Sequence, residues 1–434
     1  MDTTPIFTDD TIVFSLLMLM LGFVFYTSHS ENPIWQKFYK YIPALLMAYM
    51  LPALLTTTGL IAPEWGQTNE AGDFITTGKS NVYYVASRYL LPAALVLMTI
   101  SIDLKAVFNL GPKALIMFLT GTIGIIIGGP LAVFLVSLVS PETVGGAGPD
   151  AVWRGLATLA GSWIGGGANQ AAMLEIYGYN TKNYAGMVIV DIVVANIWMA
   201  ILLLGIGKEK SIDRWLKADG SAIEQLKEKV SGYAAKISRN PTLSDFMIIG
   251  GIAFATVGFS HYGANVISEF LKNNFEVVSD KTSAMSSFGS QFFWMITIAT
   301  ALGIIFSFTR LKKYEGAGAS KIGSVFIYIL VASIGMKMDL TKILDNPGLI
   351  VVGLIWMAIH VGLLFLIAKI IRAPYFFLAV GSKANIGGAA SAPVVAAAFH
   401  PSLATVGVLL AVFGYVVGTY GAMLTAELMR MVAP

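Results

Sequence analysis

The chain has no cysteine, which excludes disulfides, thiolate zinc sites and iron–sulfur clusters and leaves the compartment open. It is also poor in charge. Only 12% of its 434 residues are Asp, Glu, Lys or Arg, where a soluble domain carries about a quarter. The net charge of +3 is too small to point to nucleic acid. Catalytic signatures are missing too: there is no His-Glu-x-x-His, no Gly-x-Ser-x-Gly and no paired Asp motif on two helices. GIGKEK (Gly205–Lys210) lacks the Ser or Thr and the preceding strand of a phosphate loop. DKTS (Asp280–Ser283) resembles a phosphorylated-Asp motif but has no nucleotide domain to feed it. No enzyme is expected.

What the chain does have is apolar length: 56% of it is hydrophobic, with 44 glycines. Crossing about 30 Å of hydrocarbon takes about 20 apolar residues in a helix. Twelve apolar segments read roughly as 11–29, 41–62, 82–102, 113–140, 152–177, 184–208, 243–271, 290–310, 321–341, 347–372, 374–399 and 402–430. The acidic opening MDTTPIFTDD is unlike a signal peptide and places the N-terminus away from the cytoplasm. The one long polar stretch, 208–241, holds eight Lys or Arg and reads as a cytoplasmic linker, with Ser221 and Glu224 as a capping box for a short amphipathic helix.

Orientation exposes a conflict. QKFYKY (Gln36–Tyr41) and the Lys105–Lys113 connection are basic and so cytoplasmic, yet if every segment crossed, the linker would fall outside. The conflict disappears if the fifth segment, which holds GSWIGGGANQAA (Gly161–Ala172), dips in and returns. The basic loop TRLKKYEGAGASK then also falls inside. The eleventh segment, with GSKANIGGAASAP from Gly381, would be its counterpart. The expected fold is an all-α integral membrane protein of about ten crossings and two Gly-rich re-entrant or broken hairpins.

The halves resemble each other. ISIDLKAVFNLGPKALI (Ile100–Ile116) parallels GMKMDLTKILDNPGLIV (Gly335–Val351), matching Asp103 with Asp339. In each half a Gly-Ser opening (Gly161-Ser162, Gly381-Ser382) precedes a Gly-Gly pair (Gly165-Gly166, Gly387-Gly388), and Gly186 and Gly407 follow at similar places. Five crossings separate equivalent elements, so the expected halves, 1–207 and 242–434, are inverted repeats, a general plan of secondary transporters. Scattered Gly121, Gly124 and Gly128 need only tight helix packing. A Gly-Gly-Gly followed by Ala-Asn-Gln fits that poorly. Broken helices expose amides and carbonyls as ligands, and Ser162, Asn169, Gln170, Asn385 and Ser391 add neutral donors and acceptors beside them.

On GSWIGGGANQAA and the Gly-Ser…Gly-Gly of the second half, the whole chain resembles the bacterial and plastid membrane family called domain of unknown function 819. More distantly it is similar to glutamate–sodium, 2-hydroxycarboxylate and bile-acid–sodium symporters. The resemblance implies that Gly165, Gly166, Gly167 and Asn169, with Asn385, Gly387, Gly388 and Ser391, lie at hairpin tips of an elevator-like core. It also implies a scaffold and a homodimer contact from the first two helices of each half. It carries no substrate. Lys383, inside the second opening turn and absent from the first, departs from the repeat.

Ionisable groups within spans cost at least about 2.5 kcal/mol and are functional candidates. Asp191, with Asn196 five residues on, is expected to hold a proton or Na⁺. Lys383 is its partner, an anion ligand or a structural group. Arg88 is expected to snorkel, His360 to be packed, and Glu175 and Glu427 to be wetted. The expected protein is an ion-coupled transporter of a small anionic or zwitterionic solute in the bacterial inner membrane, with no cofactor beyond a coupling Na⁺. A passive channel and an intramembrane enzyme are the alternatives.

Overall fold

The computed structural model describes residues 4–68, 74–100, 104–206, 208–218, 223, 226, 240–279, 286–340, 345–400 and 403–434. Asp103, the Ser221–Glu224 box and Asp280–Ser283 lie outside the described residues. Helix α1 (Asp10–Ser28) starts where the Asp9 carboxylate accepts from the Thr11 and Ile12 amides. Next come α2 (Pro33–Tyr41) and α3 (Ala44–Thr57). A two-stranded antiparallel sheet, β1 (Glu64–Thr68) with β2 (Phe74–Lys79), then interrupts the expected all-helical order. Its strands are too short and polar to register among apolar spans.

Helix α4 (Val82–Ile100) contains a π turn over Ala86–Leu90, and α5 (Pro112–Ser137) starts on a proline whose missing N–H costs nothing at that position. After them come α6 (Val152–Gly165), α7 (Gly167–Tyr177), α8 (Tyr184–Ile206) and the short amphipathic α9 (Glu209–Leu216). The second half runs α10 (Leu243–Asn274), opened by a Thr242–Asp245 capping box, then α11 (Gln291–Ser307) and α12 (Ala319–Gly335). It ends with α13 (Gly348–Ile370), α14 (Tyr375–Asn385), α15 (Gly388–Phe399) and α16 (Ala404–Val432).

Among the described residues, seven helices are long and apolar enough to cross a membrane: α1, α4, α5, α8, α10, α13 and α16. Counting α2 with α3, and α11 with the sharply bent turn Arg310–Ala317, as single spans gives nine; α12 is a shorter apolar helix. Phe14, Leu19 and Phe23 of α1 and Met247, Phe254 and Phe259 of α10 stand exposed. Such apolar surface suits lipid and not water.

Both Gly-rich segments fold back on themselves. Gly166 (φ 75°) ends α6, and at the base of the pair the Trp153 and Tyr177 rings sit 5.5 Å apart while the Arg154 guanidinium donates to the Tyr177 carbonyl. Gly387 (φ 102°) and Gly388 (φ 53°) break α14 from α15, and Phe399 returns to lie 5.9 Å from the Tyr375 ring and 5.3 Å from that of Phe376. Left-handed backbone at these breaks is cheap only for glycine.

The bases open at opposite ends of the molecule. At one end Asn81 donates to Asp10, Asn180 N–H to the Pro149 carbonyl, Asn346 to the Thr143 carbonyl and Asp339 N–H to the Lys182 carbonyl. The other end joins Lys113 to the Arg372 carbonyl at 3.1 Å and docks α9 on the second hairpin, where Asp213 accepts from Tyr375 N–H at 2.7 Å. Lys369 covers the Trp215 ring there at 3.9 Å. The linker opens on a helix at Glu209–Leu216, and Ile223 and Leu226 beyond it are helical as well.

Contacts divide the helices into two groups. In one, α5 packs on α13, α14 and α16, α6 packs on α16, and α8 on α13; in the other, α4 packs on α11 and α12, α10 on α11, and α3 on α12. The seam is thin, with α7 meeting α4, α11 and α12, and α16 meeting α4 and α11. Glycines set the closeness of α5 and α13: a side-chain carbon at Gly124 would lie 3.1 Å from the His360 Cα, and at Gly128 2.7 Å from the Trp356 ring. Those residues are packing glycines, as their spacing suggested.

A chain without cysteine suits a labelling test. Ala147→Cys and Lys182→Cys should react with impermeant maleimide from one face of the membrane, and Arg372→Cys and His400→Cys from the other. Members of a pair reacting from opposite faces would mean that the hairpin crosses.

Candidate functional site

The site is built around α8, which runs between the two hairpins. Asp191 is 7% exposed, and its carboxylate accepts from three neutral donors: Ser162 Oγ and Trp163 Nε1, each at 2.7 Å, and Gln170 Nε2 at 3.1 Å. Ser162 and Trp163 come from α6 and Gln170 from α7, so both limbs of the first hairpin hold one oxygen pair. A carboxylate buried at this depth would be costly without such partners.

One turn further along α8 the second hairpin takes over. Lys383 Nζ donates to the Ala195 carbonyl at 3.5 Å, and Ser382 Oγ accepts from Trp198 Nε1 at 2.8 Å. Ser382 also pairs with His360 Nε2 at 2.8 Å, while His360 Nδ1 meets the Gly121 carbonyl at 2.9 Å. Lys383 and Asp191 interact electrostatically without direct pairing. His360 is packed, as a lone histidine on an apolar helix usually is.

Two asparagines hold the breaks. Asn169 Nδ2 donates to the Gly165 carbonyl at 3.0 Å and its Oδ1 accepts from Thr419 of α16 at 2.5 Å. Asn385 Nδ2 donates to the Gly381 and Phe118 carbonyls, both at 2.9 Å, and its Oδ1 accepts from Thr122 of α5 at 2.8 Å. Asn169 thus satisfies a carbonyl that the interrupted helix leaves open, Asn385 ties α14 to α5, and each borrows a hydroxyl from the opposite half. Gly165 touches Gly418 so closely that a side-chain carbon there would lie 2.8 Å from the Gly418 Cα. Gly414 of α16 sits between the hairpins: a side-chain carbon would be 2.9 Å from the Ile164 carbonyl and 3.4 Å from that of Ala384. The two breaks therefore meet at one helix. Gly167 adds no polar group, and a side-chain carbon there would meet only Ile327, at an ordinary contact distance of 3.8 Å.

Asn196 stands apart, exposed on α8 and bonded to the Ile192 carbonyl of its own helix. Arg88 does not reach for the interface: its guanidinium pairs with Glu175 of α7 at 2.5 Å and lies 4.4 Å over the Phe292 ring. Glu175 is accordingly not wetted, with a side chain 8% exposed, and Glu427 lies 3.8 Å from Arg430. Trp163, Trp198, Thr122 and Thr419 were not legible as site residues. In an apolar helix a single Thr or Trp looks like packing, and only its partner across the fold marks it.

At the end where the first hairpin opens lies a cavity of about 570 Å³. Lys79, Lys182 and Lys337 line it with Glu64, Asn81 and Asn180, and the Lys337 ammonium sits 3.9 Å over the Tyr83 ring. Among the described residues, three cations here face one carboxylate.

Comparison with known proteins agrees with this membrane architecture. The family model described as "Protein of unknown function (DUF819)" matches residues 15–432. The chain is 25% identical over 353 residues to "Uncharacterized membrane protein YjcL" of Bacillus subtilis (strain 168), covering 79% of this chain and 82% of that protein. With the match spanning nearly its full length, the chain is a membrane protein that belongs to the DUF819 family.

Proposed function

We propose that the protein is an ion-coupled secondary transporter of a small organic anion or zwitterion, built from inverted repeats 1–207 and 242–434 joined by the linker 208–241. The carrying observation is the convergence of two hairpins, opening at opposite ends, on a buried carboxylate and a buried ammonium. Broken backbone at membrane depth persists only where it is buried in protein or lines a wet cavity, so two such breaks side by side suit a polar guest.

The order of elements supports the repeat. A span, a second span, a third, a proline-led helix, a broken hairpin and a last span occur once over α1–α8 and again over α10–α16. Contacts recur in kind: α3 meets α12 as α11 meets α4, and α8 meets α13 as α16 meets α5. On this reading α3, α11 and α12 cross with the seven longer helices, giving ten crossings. Basic residues Lys113, Arg214, Lys369 and Arg372 share the end with α9, which makes that end cytoplasmic and the lysine-lined cavity external. The cationic cavity then gathers anions ahead of the site. The two contact groups supply a core carrying both hairpins and a scaffold against which it slides, as in elevator-like alternating access. Covalent chemistry has no place in this scheme, and energy comes from a Na⁺ or proton gradient across a bacterial cytoplasmic membrane.

Purified protein in liposomes should take up labelled organic acids or amino acids only under an imposed Na⁺ or proton gradient, with saturation. Unsaturable flux in the absence of a gradient would instead identify a channel. Asp191→Asn should abolish gradient-driven uptake while leaving the protein folded; uptake at the original rate would remove Asp191 from coupling.

Lys79→Gln with Lys182→Gln should raise KM roughly three- to tenfold at low ionic strength with kcat unchanged, because such charges gather solute without entering the transport step. The difference should fade as salt is added. An unchanged KM at low salt would take the cavity out of the route.

A further inference from the structure

The tip of the second hairpin has the chemistry of an anion site with nothing of opposite sign in it. Lys383 is 3% exposed, yet its Nζ makes one long hydrogen bond, 3.5 Å to the Ala195 carbonyl, leaving two of three ammonium protons unused. Ser391 Oγ is buried and makes no hydrogen bond. Both groups converge on Gly387: a side-chain carbon there would lie 3.2 Å from Lys383 Nζ and would overlap Ser391 Oγ, which takes its place. Helix α15 begins at the same place, with no side-chain cap and no acidic residue in its first turn. Its amides add positive potential to that of the ammonium.

Asp191 is arranged in the opposite sense. Its three donors are neutral, so within the cluster its charge is balanced by Lys383, held one turn away on α8 by the Ala195 carbonyl. The other titratable groups in its field are Tyr49 of α3 and Tyr184 of α8, and His360 of α13 stands behind Ser382. One negative and one positive group, not in direct contact, share a region of low dielectric. An incoming carboxylate would leave that region with one excess negative charge, which is costly unless a cation follows.

We propose, on the basis of the transporter reading above, that the tip formed by Lys383, Gly387 and Ser391 is a carboxylate site and that Lys383 is shared. In the empty protein it neutralises Asp191. An arriving carboxylate draws it to the tip, and Asp191 then takes a monovalent cation, Na⁺ or a proton, in its place. Coupling is a matter of charge balance, one cation for each carboxylate. An empty carrier keeps cations out because it already contains one.

The test needs no flux and no knowledge of the natural solute. Melting of the full-length protein in detergent is followed as NaCl replaces choline chloride at constant ionic strength, and separately as pH falls from about 8 to about 5.5. The variants are K383Q, D191N and the charge-free pair D191N/K383Q, with the pair as the reference for both titrations. Wild type should follow the reference. K383Q should be stabilised beyond it, by Na⁺ if the coupling ion is sodium or by acid if it is a proton, with at least roughly tenfold tighter cation binding than the wild type. Equal responses in K383Q and the reference, or a wild-type response as large as that of K383Q, would overturn the role of Lys383 as counter-cation.

Formate is the carboxylate probe. Sodium formate in place of NaCl, or formate at low pH, should bring out the cation response in the wild type, and K383Q should show no added effect of formate. This arm uses wild-type protein and holds even if K383Q fails to fold. A wild type indifferent to formate would overturn the carboxylate assignment. Because neither measurement involves transport, their failure would leave the uptake result untouched, and an absence of uptake would leave them standing.

Discussion

A backbone amide or carbonyl without a partner costs several kcal/mol where no water reaches it, and this chain interrupts two helices among fully buried residues, beside Asn169 and Asn385. The rest of the molecule is arranged around meeting that demand. Asn169 turns its amide onto the open Gly165 carbonyl, Asn385 bridges the Gly381 and Phe118 carbonyls, Gly165 and Gly418 let α6 and α16 come close enough to share polar groups, and α5 gives up side chains at four glycines so that α13 and its Trp356 can close the back of the site. Trp356 donates in turn to the Ile125 carbonyl of α5. The polar core is therefore satisfied almost throughout. Ser391 Oγ and the spare protons of Lys383 remain unmatched at the second tip, and the hydroxyls of Tyr49 and Tyr184 remain so near Asp191.

The two Gly-Ser openings show how one scheme yields two chemistries. Ser162 is followed by Trp163 and Ser382 by Lys383, and both following residues reach α8, at Asp191 and Ala195 respectively. An indole N–H in one half and an ammonium in the other occupy matching places. The first hairpin is thus a neutral cradle for a fixed negative charge, and the second brings a positive charge on a flexible stem. On the proposed inverted repeat, this asymmetry is what would let one site treat anion and cation differently.

Much of this was legible in the sequence. The charge conflict over the linker required one segment to turn back, and Gly166 and Gly387 with positive φ are where the chain does so. Asp191 announced itself because a carboxylate in GMVIVDIVVAN has no cheap reason to exist. Asn196 misled, since spacing along a helix says which face a residue takes only once the neighbours are known. The pairing of Arg88 with Glu175 was hidden for the same reason: it joins residues 87 positions apart, and each alone looks like a residue near a water boundary. The sheet Glu64–Lys79 escaped because a search for apolar length passes over short polar strands.

The hydrogen bond from Thr419 to Asn169 has a consequence for biogenesis. It spans 250 positions, so the first break is made long before the hydroxyl that completes it has been synthesised. Asn385, by contrast, finds Thr122 already in place. Until α16 has been made, Asn169 Oδ1 lacks that hydroxyl, so the polar groups of the first break are completed only by the last helix of the chain.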